Sequence, residues 1–358
     1  MSSRLLKHGL LRNGRAALTV LAITIAGLEL LGALTGTNSY FWDDRKLFVS
    51  KGALRPVGVE GLWTYAPHRT ILSAATYRLS DREGWLEYRC HFETNKFGLI
   101  DTNYNSNESA VDYLVLGDSF TEGQGGCPWL TRSSLSPAGP KILNGGLQGS
   151  SILSFELLEQ WLEPQVRIGN IVLMVISNDF KRALIPRIWR DSAACLSGGI
   201  CGKDDYIWAV DPETPDSGLV ELSRRSLDLQ RRSVPDQLAA TLRYHSTTYD
   251  IAARYLALLT PRESARQPAP YEANFQALLR LRQKYSSLKI IHIPQKDEVG
   301  PLGVENLDTM TVRRFLADNR IAYSSCGLAL PDFMPIDGHP NRQGYGKLLA
   351  CLKKATES

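Results

Sequence analysis

From Asp112 onward the chain alternates short apolar runs with stretches of helical periodicity, and this alternation constrains its fold more than any other feature. The apolar runs are Tyr113–Leu116, Ile142–Leu143, Ile171–Ile176, Leu288–Ile293 and Ile321–Tyr323. Helix-like stretches lie between or after them at Ile152–Leu162, Leu238–Leu259, Tyr271–Tyr285, Thr309–Asn319 and Asn341–Lys354. Strands that are apolar throughout are buried on both faces, and the amphipathic helices supply the cover. The pattern predicts an α/β three-layer sandwich around a central, mainly parallel sheet, with chemistry gathered in loops beyond the carboxyl ends of the strands.

The 358 residues, 43% hydrophobic and 22% charged, describe a folded chain and exclude a disordered, collagen-like or polytopic membrane protein. The sandwich is expected over residues 110–358. One stretch, about 181–237, fits the alternation poorly and reads as an insertion or lid on the sheet. Residues 37–109 carry Trp42, Trp63 and Trp85 among Pro, Gly and charged residues, and the alternation in Trp85–Phe92 reads as short strands and loops.

The amino terminus has its own character. Arg4, Lys7, Arg12 and Arg15 form a basic tail (1–15), followed by a segment rich in Leu, Ile and Ala (16–36) that is interrupted by a single acid, Glu29. At 1.5 Å per residue, that segment spans a ~30 Å hydrocarbon core once. Its apolar side chains favour insertion by roughly 3 to 5 kcal/mol, against about 2.5 to 3.5 for a central charge. The expectation is a single transmembrane anchor with the basic tail in the cytoplasm and the rest in the periplasm or outside; the alternative is a signal peptide, cleaved to release a secreted protein.

Beyond the tail the charge is nearly balanced and no dense Lys/Arg stripe exists, which argues against nucleic acid as a partner. The six cysteines form no CxxC pair and the histidines do not cluster, so no metal site is expected. An outward topology permits disulfides, and Cys195 and Cys201 are close enough to staple the loop CLSGGIC. Spacing does not pair Cys90, Cys127, Cys326 or Cys351, which read as small buried hydrophobes.

Four short blocks fall at predicted strand ends. The first strand runs into Gly117-Asp118-Ser119-Phe120, where a serine just past a tight turn presents its hydroxyl and backbone N–H at the sheet edge. The second ends in Asn144-Gly145-Gly146-Leu147-Gln148-Gly149, whose glycines let the backbone approach a ligand. The third ends in Ser177-Asn178-Asp179, which brings a side-chain amide to the same crevice, and Asp337-Gly338-His339-Pro340-Asn341 opens the last helix. His339 stands apart from the other histidines because Asp337, two residues earlier, can orient its ring.

In order, placement and chemistry these blocks resemble the SGNH (GDSL) hydrolase superfamily, and the match extends over about 230 residues. The resemblance implies a flavodoxin-like sheet and a serine hydrolase that needs no cofactor. Ser119 would be the nucleophile, His339 the general base and Asp337 the residue that holds the imidazole tautomer. The oxyanion hole would combine the N–H groups of Ser119 and Gly146 with the Asn178 side chain, while Asp118, Asn144 and Asp179 support the loops. Two departures stand out: Ile176 replaces the usual glycine of the third block, and one residue rather than two separates acid from base. The second departure is shared by the family's polysaccharide O-acetylation proteins.

The expected activity is an esterase or deacylase acting on O-acyl groups, chiefly O-acetyl, of an extracytoplasmic glycan. An O-acyltransferase for an exported polysaccharide, fed by a membrane acyltransferase, and a silent glycan-binding protein are the alternatives. The aromatics Trp189, Tyr206 and Trp208 in the insertion are compatible with a glycan or with packing.

Overall fold

A computed structural model describes residues 17–31, 45–78, 84–100, 109–130, 139–184, 194–196, 201, 207–229, 246, 248–249, 252, 271–299, 305–334 and 337–357. The chain divides into two compact units, residues 1–43 with 231–266, and residues 44–230 with 267–358. Residues 44–109 therefore share one unit with the α/β region.

The larger unit is built on a five-stranded parallel sheet. Its strands are β6 (Ala110–Gly117), β7 (Ile142–Gly146), β8 (Arg167–Val175), β10 (Lys289–His292) and β11 (Ser324–Ser325), in the order β11-β10-β8-β6-β7. Counted among themselves the strands run 2-1-3-4-5, so the order reverses between β6 and β8. A crevice opens beyond the carboxyl ends at such a switch point. Helices α3 (Ile152–Leu162), α5 (Tyr271–Lys284) and α6 (Leu307–Asp318) pack on one face, around Leu114, Leu158, Leu173, Leu278 and Leu316. Helix α7 (Arg342–Glu357) covers the other through Tyr345, Leu348 and Leu352 against Val115, Val172 and Ile291. The strands are uniformly apolar because residues of both orientations are buried. The predicted stretch Leu238–Leu259 lies almost wholly outside the described residues.

A second sheet, β5-β4-β1-β9, stands beside the first: β1 (Lys46–Ser50), β4 (Thr70–Arg78), β5 (Gly84–Glu93) and β9 (Ile207–Val210). The hairpin β2 (Leu54–Pro56) and β3 (Trp63–Tyr65) accompanies it. Strand β9 comes from the insertion and pairs in parallel with β1. Helix α4 (Asp216–Leu229), also from the insertion, packs on β4 and β5. The expectation of a lid on the parallel sheet is thus corrected for these residues. Ile207-Trp208-Ala209-Val210 is a buried strand, and Cys195 and Trp208 pack with Phe48 and Leu72 in the core of the second sheet. Trp208 is a packing residue; Trp189 and Tyr206 lie outside the described residues.

All six cysteines are paired. Cys195–Cys201 is present, and so are Cys90–Cys127 and Cys326–Cys351, which sequence spacing left unpaired. Distant cysteines meet only once the sheets are formed: Cys90 lies on β5 and Cys127 in the loop after the first sheet strand, while Cys351 on α7 reaches Cys326 past β11. Three disulfides are consistent with an extracytoplasmic or secreted protein.

In the smaller unit, residues 17–31 form helix α1 and expose Leu18, Val20, Leu21, Ile23, Leu30 and Leu31. Glu29 is half-buried and accepts hydrogen bonds from the Ser246 hydroxyl (2.7 Å) and the Thr248 N–H (3.0 Å). The described helix is shorter than the expected 16–36 span, and no helix among the described residues is long and apolar enough to cross a membrane.

Cys90–Cys127 closes a loop with a sequence separation of 37 and ties β5 to the segment that follows Ser119. Replacing both cysteines with alanine is expected to lower stability by about 4 kcal/mol through the released loop entropy. Urea denaturation of the oxidised wild type and the double variant measures it.

Candidate active site

The site begins with β6. Gly117 pairs with Gly146 on one side and Met174 on the other, so three strands end at nearly the same height. A Cβ at Gly117 would overlap the Thr121 side chain and the Met174 carbonyl, so the turn that follows requires glycine. Asp118 then caps the single turn α2 (Ser119–Glu122), accepting the Phe120 N–H at 2.9 Å. Ser119 thus starts a helical turn immediately beyond the sheet, at the switch point.

The structure brings Ser119, His339 and Asp337 together. Ser119 Oγ lies 2.7 Å from His339 Nε2, and His339 Nδ1 lies 2.7 Å from Asp337 Oδ1. Ser119 is 5% exposed, the His339 side chain 13% and that of Asp337 1%, a gradient from a buried acid to an accessible base. The His339 ring packs against Phe120, with centroids 4.8 Å apart. The one-residue spacing of acid and base works because Asp337 Oδ1 also accepts the His339 backbone N–H (3.3 Å), which folds the tripeptide into a local turn. Burial disfavours the charge on Asp337, but His339 and the Arg45 guanidinium outweigh it and hold the carboxyl down to about 2. With Asp337 ionised, Nδ1 carries the proton and Nε2 is left to accept from Ser119.

Arg45, just before β1, ion-pairs with Asp337 Oδ2, and Glu87 Oε1 on β5 accepts the Asp337 N–H at 2.7 Å. Neither residue is visible to sequence reasoning: Arg45 and Asp337 are 292 positions apart.

The N–H groups expected to form an oxyanion hole are arranged differently from expectation. Gly146 closes β7 and its N–H donates to the Asn144 side chain at 2.9 Å, so it is already used; a Cβ there would overlap the Glu122 backbone. Asn144 also donates to the Thr121 carbonyl (3.1 Å), locking the second block to the nucleophile turn. Farther along the same turn, Leu147 N–H bonds to the Gly117 carbonyl and Gln148 N–H to Glu122. Gly149 follows at φ 71°, and its N–H makes no hydrogen bond among the described residues; nor does the Ser119 N–H or the Asn178 amide. The signal for Gly149 was in the sequence, as the next glycine of the same block.

Ile176 occupies extended backbone (φ −98°, ψ 161°), a conformation open to any residue, and its side chain joins the apolar core. The missing glycine therefore costs nothing here. Asn178 sits on a 3₁₀ turn, Ser177–Phe180, held by Asp179 Oδ2 accepting the Ile176 N–H (3.1 Å). Arg182 joins the blocks by bonding Asp118 (2.7 Å), Asp179 (2.6 Å) and the Ser150 carbonyl (3.2 Å). It is another residue that sequence reasoning missed, although it stands three positions past Asp179. Burial and the neighbouring Asp118 push Asp179 upward, and Arg182 opposes them. Nearby, Ser177 Oγ meets His292 Nε2 (3.0 Å) and Thr309 (2.5 Å). That second serine–histidine pair is closed to solvent, and burial lowers His292 to about 4, so it braces the Asn178 turn.

Among the described residues no group of His, Cys, Asp and Glu could hold a metal ion. No protein-family model matches the chain, and no curated protein matches it.

Glu122 is buried, accepts from Tyr65 Oη (2.7 Å) and the Gln148 N–H (2.5 Å), and is pushed up by burial to about 8. A carboxyl raised from 4.5 binds its proton more tightly in the folded chain. Its contribution to stability is therefore complete below about pH 4.5 and lost progressively as the pH rises to about 8. The stability of the wild type relative to Glu122→Gln should fall over this window, as thermal melts across the pH range will show. A difference that stays constant contradicts the assignment.

Proposed function

We propose that the chain is a serine esterase or deacylase of the SGNH hydrolase type, acting through an acyl-enzyme. The observation that carries this reading is the continuous hydrogen-bonded series from Asp337 through His339 to Ser119, set at the switch point of a parallel sheet. A hydroxyl 2.7 Å from an imidazole nitrogen, with an ionised acid behind the ring, is arranged for nucleophilic attack.

In this mechanism Ser119 Oγ attacks the ester carbonyl while its proton passes to His339 Nε2. The carbonyl oxygen becomes an oxyanion, which the N–H groups of Ser119 and Gly149 and the Asn178 amide receive; Gly149 takes the place first expected for Gly146. Collapse breaks the bond to the alcohol, which leaves with the proton from Nε2, and the acyl group remains on Ser119. Water, deprotonated by His339, releases the acid. Attack by a sugar hydroxyl instead would give transfer, and measuring acetate release against acetyl transfer with an acetylated glycan separates the two.

The substrate class, O-acyl groups of an extracytoplasmic glycan, rests on the family resemblance and on the disulfides that fit an oxidising compartment. Membrane attachment through residues 16–36 belongs to the same proposal, supported by the apolar side chains that α1 exposes. An alkaline phosphatase fusion after Thr37 should be active and stay with the membrane fraction; a soluble product with a new terminus near Thr35 would identify a cleaved leader instead.

Ser119→Ala is expected to abolish cleavage of a chromogenic acetyl ester, a loss on the order of 10⁴ or more, with the fold retained. Asn178→Ala should cost ~10² to 10³ in turnover with little change in KM. Wild-type activity in the Ser119 variant would refute the mechanism.

A further inference from the structure

The guanidinium of Arg45 is buried, its side chain 3% exposed, and it pairs with the oxygen of Asp337 that His339 does not use. An acid in a triad needs one oxygen for the imidazole; here the other is clamped by a cation from a different sheet. Glu87 fixes the Asp337 backbone from the same side. The two contacts remove both freedoms that would let the carboxylate turn away from the ring, rotation of the side chain and drift of the loop.

From this geometry we infer that Arg45 is a positioning residue for the triad, and that its fixed charge opposes protonation of the ring it helps to orient. The inference rests on the serine-hydrolase reading. A carboxylate shared between a guanidinium and an imidazole stabilises the imidazolium less than one that faces the ring alone, so removing the guanidinium favours the protonated ring. Several groups among the described residues face this centre. Glu87 and Tyr88 approach from β5, Lys296 from the loop after β10, where its Nζ bonds the Met334 carbonyl (2.7 Å), and Tyr345 from α7. Asp118 beside Ser119 is paired with Arg182. Burial pushes both tyrosines upward, so they stay neutral, and Glu87 and Lys296 oppose each other. Arg45 is the cation in direct contact with the acid.

The test is the rate at which a fluorophosphonate labels Ser119 in the full-length chain, followed across pH. It needs no knowledge of the natural substrate. In Arg45→Gln the plateau rate should fall about tenfold, and the acid limb should move to higher pH by about one unit, as expected when a buried unit charge near the ring is lost. Arg45→Lys, which keeps the charge, should hold the limb close to the wild-type position. A wild type that is not labelled at all fails the hydrolase reading itself. A labelled wild type with a limb unmoved in Arg45→Gln overturns the role of Arg45, whatever the drop in rate. Arg45→Met fills the same space without charge and replaces the glutamine variant if that does not fold. Failure of both neutral variants to fold would make Arg45 a residue of folding and also overturn the proposal.

Discussion

The carboxylate of Asp337, almost wholly removed from solvent, is the interaction on which the site depends. A buried carboxylate without a partner would take up a proton and lose its hold on the imidazole. Two partners prevent this, the imidazole Nδ1 on Oδ1 and the Arg45 guanidinium on Oδ2. Arg45 leads into β1 and Glu87 lies on β5, so the second sheet supplies contacts that hold the ionised Asp337 in place.

The same dependence appears at three other points. Cys90–Cys127 fastens β5 to the loop after the nucleophile turn. Tyr65 on β3 donates to Glu122, which in turn accepts the Gln148 N–H beside the oxyanion loop. Tyr88 on β5 accepts from the Gln124 amide at 2.7 Å. The parallel sheet presents Ser119, Gly149 and Asn178 beyond its strand ends, and the second sheet holds Asp337 and the loops against them. That division explains why residues 44–109 share a compact unit with the sandwich.

What the sequence revealed depended on the range of the interaction. Ile152–Leu162 was legible to its last residue because its periodicity is local. The strand ends and their blocks were legible because each motif occupies a few consecutive residues. Long-range contacts left no trace: Arg45 is an isolated arginine in the sequence, and the pairings of Cys90 and Cys326 emerge only from sheet order. Strand β9 was hidden by its length, since four apolar residues inside a charged insertion carry no period to read. The Gly146 assignment failed for a finer reason: a glycine signals a close approach of chains without saying which, and here the approach is to Glu122 rather than to a ligand.

The Asn178 turn is held firmly with isoleucine, not glycine, at position 176. Extended backbone at Ile176 places its N–H on Asp179, and the buried side chain adds an apolar anchor that glycine could not provide. Arg182 draws Asp179 and Asp118 together, coupling the donor turn to the turn that carries Ser119. Ser177, bound to His292 and Thr309, fixes the start of the turn from the opposite side. Polar groups fixed in this way need no reorganisation when negative charge develops beside them. The two carboxylates that flank the site are thus used in opposite ways. Asp337 orients the His339 ring, whereas Asp179, tied to a backbone N–H and to Arg182, orients the turn that carries Asn178.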